Sequence, residues 1–306
     1  MSKVGLILQN RIVRHSSVDH STMASSSRLV SRRTLYKAWG EAFEARWASS
    51  TATSQTESAS TSSTQAQGPP KIVVYGGSGF VGSKICEEGA NLGVQVTSVS
   101  RGGRPSFASR AEWASEVEWL RSDVSNDEGQ WKEALDGATG VISTLGAFGS
   151  NKHMYHVCGE LNMKLARAAK EAGVGRFSFI SVHDFAFPGG WQAQNFLLRG
   201  YFQGKRDTET EVAKLFGENG VALRPGMIYG SRHVSGSMTL PLGMIGAPLE
   251  AVINRLPKSM ASMPIVGAAF VPPVAVESVA KAAVMSVLDA NVPGGPMDVW
   301  TIQGYK

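Results

Sequence analysis

Two stretches of this chain carry residue types and spacings from which chemistry can be built. The first is Tyr201-Phe202-Gln203-Gly204-Lys205. On a helix, positions i and i+4 share a face, so the phenol and the ammonium stand side by side. A lysine cation near a tyrosine hydroxyl favours the phenolate and lowers its pKa. Tyr201 would then pass a proton while Lys205 holds a ligand's hydroxyl groups. A tyrosine and a lysine four residues apart recur by chance, so what stands upstream decides their meaning.

Upstream stands the second stretch, Gly76-Gly77-Ser78-Gly79-Phe80-Val81-Gly82, directly after the β-branched run Lys71–Tyr75. A strand, a tight turn and a helix start follow one another within a dozen residues. Gly76 lets the chain turn off the strand, Gly79 lets backbone amides approach a pyrophosphate, and Gly82 lets the helix pack close. Amides and helix dipole together favour a diphosphate anion. A glycine-rich surface turn is the plain alternative. The strand before, the helix after and a second strand at 94–100 favour a nicotinamide dinucleotide.

The residues after the second strand bear on which dinucleotide. Chains that choose NAD place an acid there for the ribose 2′-hydroxyl. This one has Ser100-Arg101-Gly102-Gly103-Arg104. Arg101 and Arg104 offer guanidinium groups to a 2′-phosphate, so NADP(H) is favoured over NAD(H). Asp123 follows the third strand, where a carboxylate meets the adenine edge or simply closes a turn.

The elements that must position these residues alternate. Strands are expected at 71–75, 94–100, 117–120, 140–145, 176–180 and 221–223. Helices are expected at 79–92, 108–115, 130–135, 154–172, 196–216 and 276–288. That order predicts an α/β fold with a doubly wound parallel sheet of Rossmann type. The NAD(P)-binding domain is expected over 71–230, with 231–306 completing it as a smaller C-terminal lobe over the cofactor's reactive end. The apolar stretch 238–249 is broken by Pro241, Gly243, Gly246 and Pro248 and is too short to span a bilayer. A lid or core segment is the favoured reading, and a surface against a membrane the alternative.

The net charge of +5 is unevenly placed. Residues 1–48 hold eight basic and three acidic residues, and the rest of the chain is neutral. A basic excess confined to one end is no argument for nucleic acid as a partner. Rich in Arg and Ser, and amphipathic through Leu35, Trp39, Phe43 and Trp47, this stretch has the composition of an organelle transit peptide. Its arginines favour the mitochondrion, in the matrix or on the matrix face of the inner membrane. Met23-Ala24-Ser25-Ser26-Ser27 leaves the chloroplast as the alternative. Residues 49–70, mostly Ser, Thr, Ala and Gln, are expected to be a disordered linker. Cys86 and Cys158 have no CxxC or histidine-rich partner, so buried helix cysteines are expected and a metal site is not.

From about Lys71 to Leu288 the chain resembles an atypical, extended short-chain dehydrogenase/reductase. The likeness is carried by the Gly76/Gly79/Gly82 turn, Asp123, Gly146, the Tyr201/Lys205 pair and Leu223-Arg224-Pro225-Gly226. Pro272-Pro273-Val274, followed by Val279-Ala280, extends it. Leu145-Gly146-Ala147-Phe148-Gly149-Ser150 and Ile180-Ser181-Val182-His183-Asp184 are closest to two mitochondrial branches. These are the NADPH-binding accessory subunit of respiratory complex I and Rossmann proteins linked to coenzyme Q biosynthesis. The resemblance implies a cofactor held by residues 76–82, Arg101, Arg104, Asp123, Gly146, Lys205, Pro225 and Gly226. It implies catalysis by Tyr201 and Lys205, with the substrate a carbonyl or quinone-like ring.

One departure matters. Active members place a Ser or Thr just past the fifth strand to bind the substrate carbonyl, and many show Ser-Ser or Ser-Thr there. Here the pair is Ser181-Val182, and Ser181 or His183 is expected to substitute. Losing one such donor costs a factor of about 10² or more. Two functions therefore stand: an NADP(H)-dependent reductase around quinone metabolism, or a silent, cofactor-stabilised accessory protein docked on a mitochondrial inner-membrane assembly.

Overall fold

The computed structural model describes residues 69–126, 129–185, 198–235, 238–241, 243–263 and 267–306. The expected leader, and the expected linker up to residue 68, lie outside these. Strand β1 (Lys71–Tyr75) runs through the centre, and Ile72, Val73 and Val74 are fully buried. A parallel sheet covered on both faces calls for such a continuous β-branched run. Helix α1 (Phe80–Asn91) returns the chain antiparallel to β2 (Gln95–Ser100), and β3 (Val117–Arg121) follows. The helix expected at 108–115 is instead two 3₁₀ turns, Ser106–Arg110 and Glu112–Ser115, parted by extended Ala111.

After the short helix α2 (Gln130–Glu133) the chain crosses to the other side of β1 as β4 (Gly140–Ser143). The long helix expected next starts earlier than its apolar pattern suggested. It comprises α3 (Asn151–Tyr155), a π-helical segment His156–Glu160 and α4 (Leu161–Glu171). Ser150 caps it by accepting the His153 amide at 3.2 Å. The wide π turn frees carbonyls, and two buried side chains collect them. Asn162 Nδ2 donates to Val157 O at 2.9 Å and Cys158 O at 3.1 Å, and the Thr208 hydroxyl donates to Cys158 O at 3.2 Å.

Then come β5 (Arg176–Ile180), α5 (Arg199–Phe216) and β6 (Gly220–Leu223). Past β6 the chain runs in two parts. The first part holds the short strand β7 (Ile228–Tyr229), the hairpin β8 (Ser231–Ser235) and β9 (Met238–Pro241), and helix α6 (Gly243–Ile253). The second part returns to the main body. Strand β10 (Val274–Ala275) pairs with β7, and α7 (Val276–Leu288) packs along α1 against the sheet. Strand β11 (Gly295–Met297) adds itself in parallel to β6, and α8 (Val299–Gln303) follows. Buried Arg176 fastens this return, donating to Ser286 O at 2.8 Å and Val292 O at 2.6 Å.

The seven-stranded parallel sheet has the order β3-β2-β1-β4-β5-β6-β11. One face is packed by α1 and α7, the other by α4, α5 and Trp131. Strand order reverses between β1 and β4, and in open α/β sheets ligands bind beyond the carboxyl ends of the strands at that point. Among the described residues no helix is long and apolar enough to cross a membrane.

Candidate functional site: a dinucleotide cleft

At the switch point each glycine of the turn has a steric reason. Gly76 takes φ +85°, and a Cβ there would collide with the Thr144 hydroxyl. At Gly82 a Cβ would lie 2.8 Å from both the Gly76 carbonyl carbon and the Gly77 Cα. At Gly79 it would lie 3.1 Å from Gly76 O. The turn is closed by Gly79 N–H donating to Gly76 O at 2.9 Å. Its tip stays open: Gly79 is exposed, while Ser78, Phe80 and Val81 are half-buried. No side chain caps the first turn of α1, so its amides face the cleft without a protein anion. These residues fit a diphosphate.

The loop after β2 lies across from this turn, with a Cβ at Gly102 reaching 4.0 Å from Ser78 Oγ. Arg101 and Arg104 are both exposed. Arg104 Nη2 is drawn onto its own loop, donating to Ala108 O at 3.4 Å. A third guanidinium that the sequence reading passed over is here too: Arg121 Nε donates to Arg101 O at 3.2 Å. The i, i+20 spacing gave no signal, because β3 lies beside β2 only in the folded sheet. The Asp123 carboxylate closes its own turn, accepting Ser125 N–H at 2.9 Å and Ser125 O–H at 2.6 Å. These bonds hold its pKa below the usual carboxylate value.

At the reactive end Gly146, Tyr201 and Lys205 come together. Lys205 is 3% exposed, and its Nζ donates to Ile180 O at 2.6 Å and Leu145 O at 3.2 Å. A Cβ at Gly146 would stand 3.6 Å from that nitrogen, so glycine keeps the approach open. Burial brings the Lys205 pKa down to about 8. Tyr201 does not behave as its spacing predicted. Lys205 Nζ sits over the ring, 5.9 Å from its centroid, and burial pushes the Tyr201 pKa up to about 12. Desolvation dominates, and the charge that pulls the other way is that of Arg206. Tyr201 therefore keeps its proton at neutral pH.

The Ser181 hydroxyl already has a partner. Ser181 is 3% exposed, and its hydroxyl donates to Glu209 Oε1 on α5. Glu209 in turn binds Arg206 at 2.6 Å and Arg224 at 2.5 Å. A carboxylate shared by two arginines keeps the Ser181 proton away from any carbonyl. His183, 8% exposed, lies edge-on against Phe185 and Trp300, and its amide donates to Pro225 O at 2.9 Å. Burial lowers its pKa, which suits a structural imidazole. Pro225 is thereby tied to the β5 loop, and Gly226 is pressed so close to Val271 that a Cβ would meet it at 2.8 Å. A further residue missed in the sequence is Phe148, stacked on Tyr201 with centroids 5.1 Å apart and 16° between planes.

A family model described as NAD(P)H-binding matches residues 76–238, from the glycine turn onward. The chain belongs to this NAD(P)H-binding family. A relative from Arabidopsis thaliana, an uncharacterized chloroplastic protein, is 39% identical over 77% of this chain and 76% of its own length. Protein fmp52, mitochondrial, of Emericella nidulans is 31% identical over 76% of this chain and 95% of its own. Vestitone reductase from alfalfa shares the fold, with a TM-score of 0.52 and 20% identity over 74% of this chain and 76% of that one. Family and fold together make this an NAD(P)H-binding chain of Rossmann type. Its relatives carry names from two organelles, the mitochondrion and the chloroplast.

Proposed function

We propose that the chain is an NADP(H)-dependent reductase of a carbonyl or quinone-like ring, working in the mitochondrion in or around quinone and respiratory-chain metabolism. The observation that carries this is the meeting of Tyr201, Lys205 and Gly146, residues that follow β4 and β5 in the chain. Arg101, exposed across from Ser78, would pair with a 2′-phosphate. NADPH held there would supply the hydride. Tyr201 gives its proton to the carbonyl oxygen, and water reprotonates the phenolate. Lys205 would hold the ribose hydroxyls, and its charge would stabilise the phenolate while it lasts. Gly76, Gly77, Ser78, Gly79, Phe80, Val81 and Gly82 would cradle the diphosphate, and Pro225 and Gly226 would border the nicotinamide.

A second reading is a silent, cofactor-stabilised subunit on a mitochondrial inner-membrane assembly such as complex I. The commitment of Ser181 to Glu209 favours it, since one carbonyl donor is then missing. A chloroplast location follows the Arabidopsis relative's name and is the alternative to the mitochondrion.

The test uses the full chain. NADPH binding is followed by fluorescence, and NADPH oxidation by menadione is followed by absorbance, in unmutated protein and Tyr201→Phe. Binding is expected in both, with oxidation at least a hundredfold slower in the variant. An unmutated protein that binds NADPH but oxidises none with menadione or a carbonyl panel overturns the reductase reading in favour of the accessory one.

A further inference from the structure

We propose that Phe148 is the specificity-determining residue of the site, its ring laid on one face of Tyr201 and its outer face offered to a flat conjugated carbonyl ring. The inference rests on the reductase reading above and names the substrate class that the same site would accept.

Phe148 is 74% exposed, the most exposed of the large apolar side chains among the described residues. A phenylalanine left in water forgoes most of the free energy its burial would supply. Its inner face is used already, on the Tyr201 phenol at 5.1 Å and 16°. The near-parallel geometry means that a planar group on the outer face would be parallel to the phenol as well. Aromatic groups prefer offset stacks of this kind.

The surroundings carry the same bias. Tyr201 meets Phe202 edge-on at 5.5 Å, Phe202 meets Phe185 at 6.3 Å, and Phe185 meets His183 at 5.1 Å. His183 then meets Trp300 at 5.7 Å. A run of rings from the β4 loop, α5, the β5 loop and α8 thus extends from Phe148 to Trp300. The loop that bears Phe148 is bounded by Gly146, which leaves Lys205 approachable, and by Gly149 at φ +156°, a conformation side chains disfavour. An aliphatic carbonyl would gain little from a stacking wall; a fused or conjugated ring would gain on a whole face.

The experiment is equilibrium dialysis of menadione and of decanal against the full chain loaded with NADP⁺, which binds without turning over. Phe148→Ala and Phe148→Leu are each expected to weaken menadione about tenfold. Phe148→Trp should stay within about twofold, while decanal and NADP⁺ binding do not change. Menadione bound as tightly or more tightly by Phe148→Ala overturns the proposal, as does no measurable menadione binding by the unmutated protein. A parallel fall in NADP⁺ affinity overturns it too, since Phe148 would then be a cofactor contact. The two readings separate cleanly. If Tyr201→Phe still reduces menadione at the unmutated rate, the reductase mechanism fails and the dialysis result stands. If the unmutated protein reduces menadione but Phe148→Ala binds it normally, Phe148 fails and the mechanism stands.

Discussion

Lys205 donates to the carbonyl oxygen of Ile180 across 2.6 Å, so a buried ammonium joins the middle of α5 to the end of β5. Burial holds its pKa at about 8 against an ordinary 10.5. As pH rises from about 8 toward 10.5 the folded chain sheds this proton and the unfolded chain keeps it. The unfolded state then binds more protons, so stability rises over that window, by up to about 1.4 kcal/mol per pH unit. Below pH 8 both states are charged and the full burial penalty applies. Urea unfolding from pH 8 to 10 should show this gain in the unmutated protein relative to Lys205→Met. Parallel curves for the two would refute it.

Gly82 has backbone, not a flexible side chain, where a Cβ would go. Gly82→Ala must push α1 off the turn, at a cost of about 1–3 kcal/mol. The amides that would face the diphosphate move with it, so NADPH affinity should fall more than tenfold. Isothermal titration and a thermal melt together check this. An alanine variant that binds normally would show that the turn does not hold the diphosphate.

Arg101→Ala should weaken NADPH about tenfold or more and leave NADH unchanged, because the contact exists only with a 2′-phosphate. Arg121→Ala should do less, since its Nε is already held by Arg101 O. Equal affinity of the unmutated protein for NADH and NADPH would refute the assignment.

Glu209→Gln should cost about 3 kcal/mol, since Arg206 and Arg224 would lose their shared carboxylate in a largely buried place. Ser181→Ala should cost only about 1 kcal/mol and leave NADPH oxidation within about twofold, because the hydroxyl serves Glu209 and not a substrate. Chemical denaturation and a rate assay on both variants decide it. A Ser181→Ala protein slowed a hundredfold would restore serine as the carbonyl donor.

The order of strands and helices, the glycine turn and the Tyr201/Lys205 spacing were legible from residue types, because each rests on a local pattern. β-Branched runs make buried strands, and glycines at fixed offsets make a turn that no other residue allows. The π segment at 156–160 was not legible, because its cause is Asn162 and Thr208 collecting freed carbonyls. The strand 295–297 was missed for a similar reason: three residues containing Pro296 show no period, and only the free edge of β6 makes them a strand.

The chain alone determined a strand, a glycine turn and a helix start with uncapped amides, since these need only neighbours in sequence. Tertiary structure alone decided what the chemical groups do. It placed Glu209 beside Ser181, two carbonyls around the Lys205 ammonium and Phe148 on the Tyr201 ring. Proton affinity and hydrogen-bond commitment depend on burial and on partners dozens of residues away, and those distances exist only once the sheet has formed.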